Sequence, residues 1–310
     1  MVYLIGIDIG GTKTSVSLAD AKGHLFIRMA FPTGGVKETF DQIKQIIRTY
    51  LKKYDRGLNH TKGIGISCAG PMDLKKGVLL NPPNMPTWRD VPVKAIFSKA
   101  FGLPVAVDND ANCAGLAEKT FGAGRGLNNL FYYTVSTGIG GGLIIDGKIY
   151  HGASSDAGEI GHTIILPGGP KCGCGKRGCL EALASGTSIA RIAREEAGKD
   201  SLIFKLAGSK KNINAIIVAQ AARQGDKLAR QIYQQAAFYL GLSVTNVIQV
   251  FNPEMVVIGG GVSRAGAILF NPLQKTVRKF AWERPLRSCR IVPAKLKEAV
   301  GDLGAVSLLL

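Results

Sequence analysis

The chain has 310 residues, of which 46% are hydrophobic and 20% charged, the balance of a folded, water-facing protein rather than a disordered or fibrous one. The length suffices for two domains with cores of their own, and no apolar run reaches the roughly 20 residues of a membrane span. The formal charge of +17 is spread along the chain with short clusters at 171–177 and 278–290 and no RNA-binding signature. It therefore fits a diffuse basic surface that draws in a small anion better than a nucleic-acid interface.

The first ten residues, MVYLIGIDIG, lack a basic leader and carry Asp8 inside the apolar run, so they read as a first strand and not a signal peptide. Cys68, Cys113 and Cys289 sit singly among apolar residues, as buried free thiols do, which suits a reducing, cytoplasmic setting; the spread of charge and the short apolar runs lead us to expect no nucleic-acid or membrane partner. Residues 2–9 form the first strand, 10–13 a glycine turn, 14–19 and 24–31 two further strands of an antiparallel meander. Apolar residues from Phe40 to Leu51 recur at helical spacing, and 62–68 is a strand.

Pro82, Pro83 and Pro86 make 81–88 extended and irregular, and a short helix from Pro92 leads to a strand at 104–107. That strand is predicted to end in Asp108, Asn109 and Asp110, with a helix over 111–121. The opening theme then repeats: strand 130–136, glycine turn 137–142, strand 143–145, a turn, and strand 148–150. This similarity of order points to an internal duplication, with a cleft between two halves. Helices at 185–197, 214–224 and 226–250 follow, then a strand at 255–258, a further helix, a strand at 290–293 and an apolar tail over 303–310.

The stretch EIGHTIILPGGPKCGCGKRGCLE, 159–181, holds His162, Cys172, Cys174 and Cys179, the Cys3His set of a tetrahedral structural Zn2+. The spacing is not that of a zinc ribbon or finger. Three free thiols in a flexible loop, or one disulfide with an odd thiol left over, are the other arrangements these residues allow. Glu159, His162 and Glu181 bracket the loop and present polar groups suited to a hydroxylated ligand, although a lone glutamate is also an ordinary surface charge.

Glycine turns at Gly10, Gly138 and Gly259 each follow a strand, and their backbone N–H groups can approach phosphate oxygens. None matches the P-loop or the full dinucleotide fingerprint, and any one alone is more often structural. Together, with Thr12, Lys13 and Thr137 beside them, they suit a nucleotide triphosphate. Asp8 can hold Mg2+ through water, or merely cap its turn. Asp110 is the candidate general base, with Asn109 beside it for a neighbouring hydroxyl; the pair is equally able to cap the helix that follows, and the two roles are compatible.

The motifs DIGGTK (8–13), DNDAN (108–112), STGIGGGLIIDGKIYHGASSDAGEIGH (136–162), CGCGKRGCLE (172–181) and GGGVS (259–263) resemble, in order and over nearly the whole chain, the ROK family of bacterial sugar kinases and sugar-responsive repressors. The resemblance implies an α/β fold of two ribonuclease-H-like lobes of the actin and hexokinase type, with an interlobe cleft and a C-terminal helix packed on the first lobe. The expected lobes are 1–117 with 292–310, and 118–291.

It also implies ATP-dependent phosphorylation of a hexose 6-hydroxyl, glucose foremost, with Asp110 as the base. Asn109, Glu159, His162, Glu181 and Gly70 would bind sugar. Asp8, Gly10, Gly11, Thr12, Lys13, Thr137, Gly138, Gly259 and Gly260 would hold ATP with Mg2+, and His162, Cys172, Cys174 and Cys179 zinc. A homodimer is the family's usual form. N-acetylmannosamine, N-acetylglucosamine and fructose are alternative substrates, and a non-catalytic sugar-responsive regulator is the alternative class. With Asp8 already in the first strand, the pattern leaves no room for the winged helix-turn-helix of the repressors. Asp110, which a non-catalytic module is expected to lose, is present.

Overall fold

A computed structural model describes residues 2–54, 60–82 and 84–310; Met1 and Pro83, which enter the sequence reading, lie outside the described residues. The chain packs as two compact units, the first Met1–Gly126, Ile144–Ala157 and Lys295–Leu310, the second Leu127–Leu143 and Gly158–Ala294. The return of Ile144–Ala157 to the first unit has no counterpart in the sequence pattern, where 118–291 reads as one lobe.

In the first unit β1 (Tyr3–Ile9), β2 (Lys13–Ala19) and β3 (Leu25–Pro32) form the meander, followed by α1 (Val36–Tyr54) and β4 (Thr61–Cys68). A small hairpin, β5 (Met72–Asp73) and β6 (Val78–Leu79), precedes α2 (Val93–Phe101), β7 (Val105–Asn109) and α3 (Asp110–Thr120). The sheet order is β3-β2-β1-β4-β7, with β1, β4 and β7 parallel. Alternate residues Ile5, Ile7 and Ile9 of β1 are fully buried in the same core cluster as Phe40, Ile43, Ile47 and Tyr50 from one stripe of α1.

The second sheet runs β10-β9-β8-β11-β12, from β8 (Leu130–Val135), β9 (Ile139–Ile145), β10 (Lys148–Ile149), β11 (Met255–Gly259) and β12 (Arg290–Pro293). Between β10 and β11 lie α4 (Leu180–Ala184), α5 (Gly186–Glu196), α6 (Leu202–Ala207), α7 (Ala215–Arg223) and the long α8 (Lys227–Phe251). After β11 come α9 (Ala267–Phe280) and α10 (Glu283–Ser288), and after β12 the last helix, α11 (Val300–Ser307). The N-caps are local chemistry: the side chains of Ser185, Ser201, Asn214 and Asp226 accept backbone N–H bonds from the first turns of α5 to α8.

Two of the elements that differ from the sequence expectation bear on the site. β7 runs on through Asn109, because Asp108 and Asn109 continue the parallel ladder opposite Ser67 and Cys68. β9 begins at Ile139, so Gly140, Gly141 and Gly142 are strand and not turn; a Cβ on Gly141 would lie 2.7 Å from the Gly158 carbonyl oxygen and 2.8 Å from the Phe131 ring. The apolar tail forms the C-terminal helix that the resemblance implied, α11, whose Val306 packs with Leu4 and Ala19.

α11 comes unusually near the sheet. A Cβ on Gly65 of β4 would lie 1.8 Å from the Ala305 carbonyl oxygen, an overlap that only backbone movement relieves. Gly65→Ala is therefore expected to lower the unfolding free energy by about 3 kcal/mol, the upper part of the usual overpacking range. Urea unfolding of the full chain checks this, and an unchanged midpoint would show that α11 does not rest on β4.

Candidate functional site

The polar residues of the first unit gather where its parallel strands end. Asp8 of β1 and Asp108 of β7 both stand opposite Ser67 of β4 in the ladders. Ser67 Oγ donates to Asp8 Oδ1 at 2.9 Å. Burial pushes the Asp8 carboxyl up to about 7; the Ser67 bond opposes this, and the charges of Asp302 and Asp110 add to it. A carboxylate beside two others and short of solvent is one that a cation relieves, so the donor chemistry fits a divalent ion.

Asn109 is the N-cap of α3: its Oδ1 accepts the Ala111 N–H at 2.9 Å, and Asp110 Oδ1 accepts the same N–H at 2.9 Å. Asp110 thus sits in the first helical turn, where the helix dipole favours a negative charge. Gly70 packs beside this pair, since a Cβ there would be 3.0 Å from Asn109 Nδ2. The turn before β2 is closed by Gly10 N–H to Lys13 O at 3.0 Å and by Thr33 N–H to Thr12 O at 3.1 Å, leaving Gly11, Thr12 and Lys13 exposed.

In the second unit the single turn Ile160–His162 lies against the start of β9, with the Gly161 position 2.0 Å, measured from a Cβ built there, from Ile139 O. The ligand atoms of His162, Cys172, Cys174 and Cys179 all lie within 4.8 Å of one another. Cys174 Sγ is 3.7 Å from Cys179 Sγ, and His162 Nδ1 is 3.7 Å from Cys172 Sγ. Thiolates at about 2.3 Å from a tetrahedral ion are about 3.8 Å apart, so these two separations match the edge of a zinc tetrahedron.

All six cysteines are free thiols, so the disulfide arrangement is not the one adopted. Burial pushes Cys172 up to about 12 and raises Cys179, whereas the Lys176 N–H lowers Cys174. Three clustered sulfurs shed their protons together only if a cation joins them.

Nδ1 of His162 faces the sulfurs, which leaves Nε2 on the other side, 4.0 Å from Glu159 Oε2. Glu181, in the first turn of α4, joins the metal set to the glycine turn: Oε1 lies 3.7 Å from Cys172 Sγ, and Oε2 accepts the Ile139 N–H at 3.0 Å. A Cβ at Gly138 would stand 2.3 Å from that same Oε2.

The other two phosphate-turn candidates of this unit divide. Thr137 lines a cavity of about 270 Å³, together with Ser136, Thr187, Asn214, Ile216 and Gly261. Gly259 and Gly260 stand behind it as spacers: a Cβ at Gly260 would be 2.3 Å from Val135 O, and one at Gly259 would be 2.2 Å from the Tyr132 hydroxyl. Sequence reading missed Thr187, Asn214 and Ile216. Its only signal there was helix starts at Ser185 and Asn214, and a helix start is a candidate anion site only when it borders a cavity.

The family model described as the ROK family matches residues 4–310. The chain belongs to the ROK family. A glucokinase of Thermotoga maritima is 40% identical over 308 residues, covering 99% of this chain and 96% of that protein. A ROK family glucokinase from Streptomyces griseus, solved in complex with glucose and AMPPNP, superposes with a TM-score of 0.81 at 33% identity, covering 99% of this chain and 98% of that one. A xylose repressor of Caldicellulosiruptor bescii is 31% identical over 316 residues, covering 99% of this chain and 78% of the repressor. This ROK chain has the mixed α/β architecture of the actin and hexokinase type, as the resemblance implied, with two five-stranded sheets among the described residues.

The Asp8 carboxyl has a pH consequence. It ionises near 7 in the folded chain against an ordinary value of 3.8, so between those values the folded state holds the extra proton. A raised acid makes stability fall as pH rises through that window, from about 4 to about 7. In magnesium-free buffer, Asp8→Asn is expected to gain stability on the parent between those pH values, read as the difference in urea midpoints. A difference independent of pH would discard burial as the feature that governs Asp8.

Proposed function

We infer that this ROK protein transfers the γ-phosphoryl group of ATP to the 6-hydroxyl of glucose. The observation that carries the reading is Asp110, a carboxylate set in the first turn of α3 beside the capping Asn109, in a chain similar over its full length to glucokinases. Phosphoryl transfer asks little covalent chemistry of the protein; it asks that the attacking hydroxyl be oriented and give up its proton. Asp110 accepts that proton as the 6-oxygen bonds to the γ-phosphorus and ADP departs.

In this reading Asn109, Gly70, Glu159, His162 and Glu181 bind the remaining hydroxyls, His162 through the nitrogen that faces away from the sulfurs. Gly10, Gly11, Thr12, Lys13, Thr137 and Gly138 approach the phosphates, with Gly259 and Gly260 spacing the wall behind, and the cavity beside Thr137, Thr187 and Asn214 takes the nucleoside. Asp8 would hold Mg2+, which neutralises the phosphates, and His162, Cys172, Cys174 and Cys179 would hold Zn2+, which fixes the imidazole and the loop. A cytoplasmic homodimer acting at the entry to glycolysis completes the proposal. The likeness to a xylose repressor supports a second, non-catalytic reading for the same body.

ADP release from ATP with glucose, fructose, N-acetylglucosamine and N-acetylmannosamine separates these readings. Glucose is expected to be preferred; preference for an acetylated sugar would move the substrate, and no turnover would favour the regulator. Asp110→Ala is expected to bind glucose but lose about 10²- to 10⁴-fold in kcat, roughly 3 to 5 kcal/mol of barrier. Retained turnover would end its role as base. Chelation that strips zinc is expected to weaken glucose binding, because His162 then loses what orients its ring; unchanged affinity in metal-free protein would separate the loop from the sugar.

A further inference from the structure

Asp108 is 4% exposed and none of the roles above uses it, yet both its oxygens are bonded. Its Oδ1 accepts the Asn109 N–H at 2.8 Å and Asn112 Nδ2 at 2.9 Å, and its Oδ2 lies 2.7 Å from His151 Nε2. Asn112 spends its amide on this carboxylate while its own buried Oδ1 has no partner among the described residues.

His151 arrives from a separate stretch of the first unit, two residues past β10, and its carbonyl accepts the Ala157 N–H at 3.1 Å. The imidazole is 39% exposed, so it covers the outer oxygen of Asp108 from the solvent side. The hydrogen bond to Asp108 draws the ring toward its charged form.

We propose that His151 is a positioning residue for phosphoryl transfer: its Nε2 bond to Asp108 fixes the turn from β7 into α3 and, through it, the side chains of Asn109 and Asp110. The inference rests on the glucose kinase reading given above. The bonds form one connected series, from His151 to Asp108, from Asp108 to the Asn109 N–H, and from Asn109 and Asp110 to the shared Ala111 N–H. Without His151 the carboxylate loses its side-chain donor on Oδ2, and a water in that place is not tied to the chain, so the carboxylate and the Asn109 peptide it holds are placed less firmly. His151 then acts through Asp108 and touches no reacting atom.

The test compares the parent chain with His151→Ala and His151→Gln in the ADP-release assay, recording kcat, both KM values and the melting temperature. Glutamine presents an amide N–H at a reach similar to Nε2, and alanine presents none. His151→Ala is expected to lose about tenfold or more in kcat with the KM for ATP within about twofold, because a misplacement of roughly 1 Å can cost about 10²-fold. His151→Gln is expected to stay within about threefold of the parent kcat, the donor being what matters.

Parental kcat in the alanine variant, or a glutamine variant as slow as alanine, overturns the proposal. Should the alanine variant not fold, His151→Met fills the space without a donor and carries the same comparison against His151→Gln. A parent with no turnover on any hexose overturns the kinase reading and this inference with it, whereas an active parent beside an unaffected His151→Ala overturns the inference alone.

Discussion

Parallel strands that end in one register bring their last side chains together, and in the first unit two of the three are acidic. Asp8 and Asp108 flank Ser67 across three adjacent strands, at the carboxyl edge where open α/β sheets bind ligands. Carboxyl groups so placed must be compensated, and each is compensated differently. Asp8 takes one hydroxyl donor and is held close to neutrality, ready for a cation. Asp108 takes a backbone N–H, an amide and an imidazole, and stays an anchor. The helix that begins at Asp110 inherits its position from that anchor.

The C-terminal helix is part of the same arrangement. Its backbone reaches β1 and β4 because Gly6 and Gly65 carry no side chain on that face, and Gly301 lies against the Asp8 carboxylate, with a Cβ position 2.1 Å from Oδ2. Asp302, 1% exposed, is held by Ser15 Oγ at 2.8 Å and by the Arg28 guanidinium. Arg28 is 36% exposed and Asp302 buried, so the pair ties the inner face of α11 to a strand that reaches solvent. It sets where α11 stands along β2 and β3, and so where Gly301 meets Asp8.

In the second unit one short segment serves two ends. Glu181 lies between Cys172 and the Ile139 N–H, so the donor set that suits zinc and the glycine turn at Gly138 share a side chain. His162 divides its two nitrogens, one toward the sulfurs and one toward Glu159. A loop tied in this way is a support for the groups beside it, as bonding around a ligand set commonly is.

Local chemistry was enough for much of this. Alternation and helical spacing place β1 to β4, α1 and α8 within a few residues of where they lie, because each buries one periodic face. The caps of Ser185, Asn214 and Asp226 are side-chain-to-backbone bonds within four residues. The Cys3His composition and the carboxylate at Asp110 are likewise legible from residue type. What required the tertiary structure is every relation between residues far apart in sequence. His151 meets Asp108 across 43 positions, Glu181 meets Ile139 across 42, and the cavity wall at Thr187 and Asn214 reads in sequence only as helix starts. Gly141 reads as turn yet is strand, placed there by the Gly158 carbonyl and the Phe131 ring that crowd it, whereas Gly260 is the turn it reads as, with a φ of 85°, and also leaves room for the Val135 carbonyl. Periodicity fixes which face of an element is apolar; only packing decides which backbone or side chain comes to lie against it.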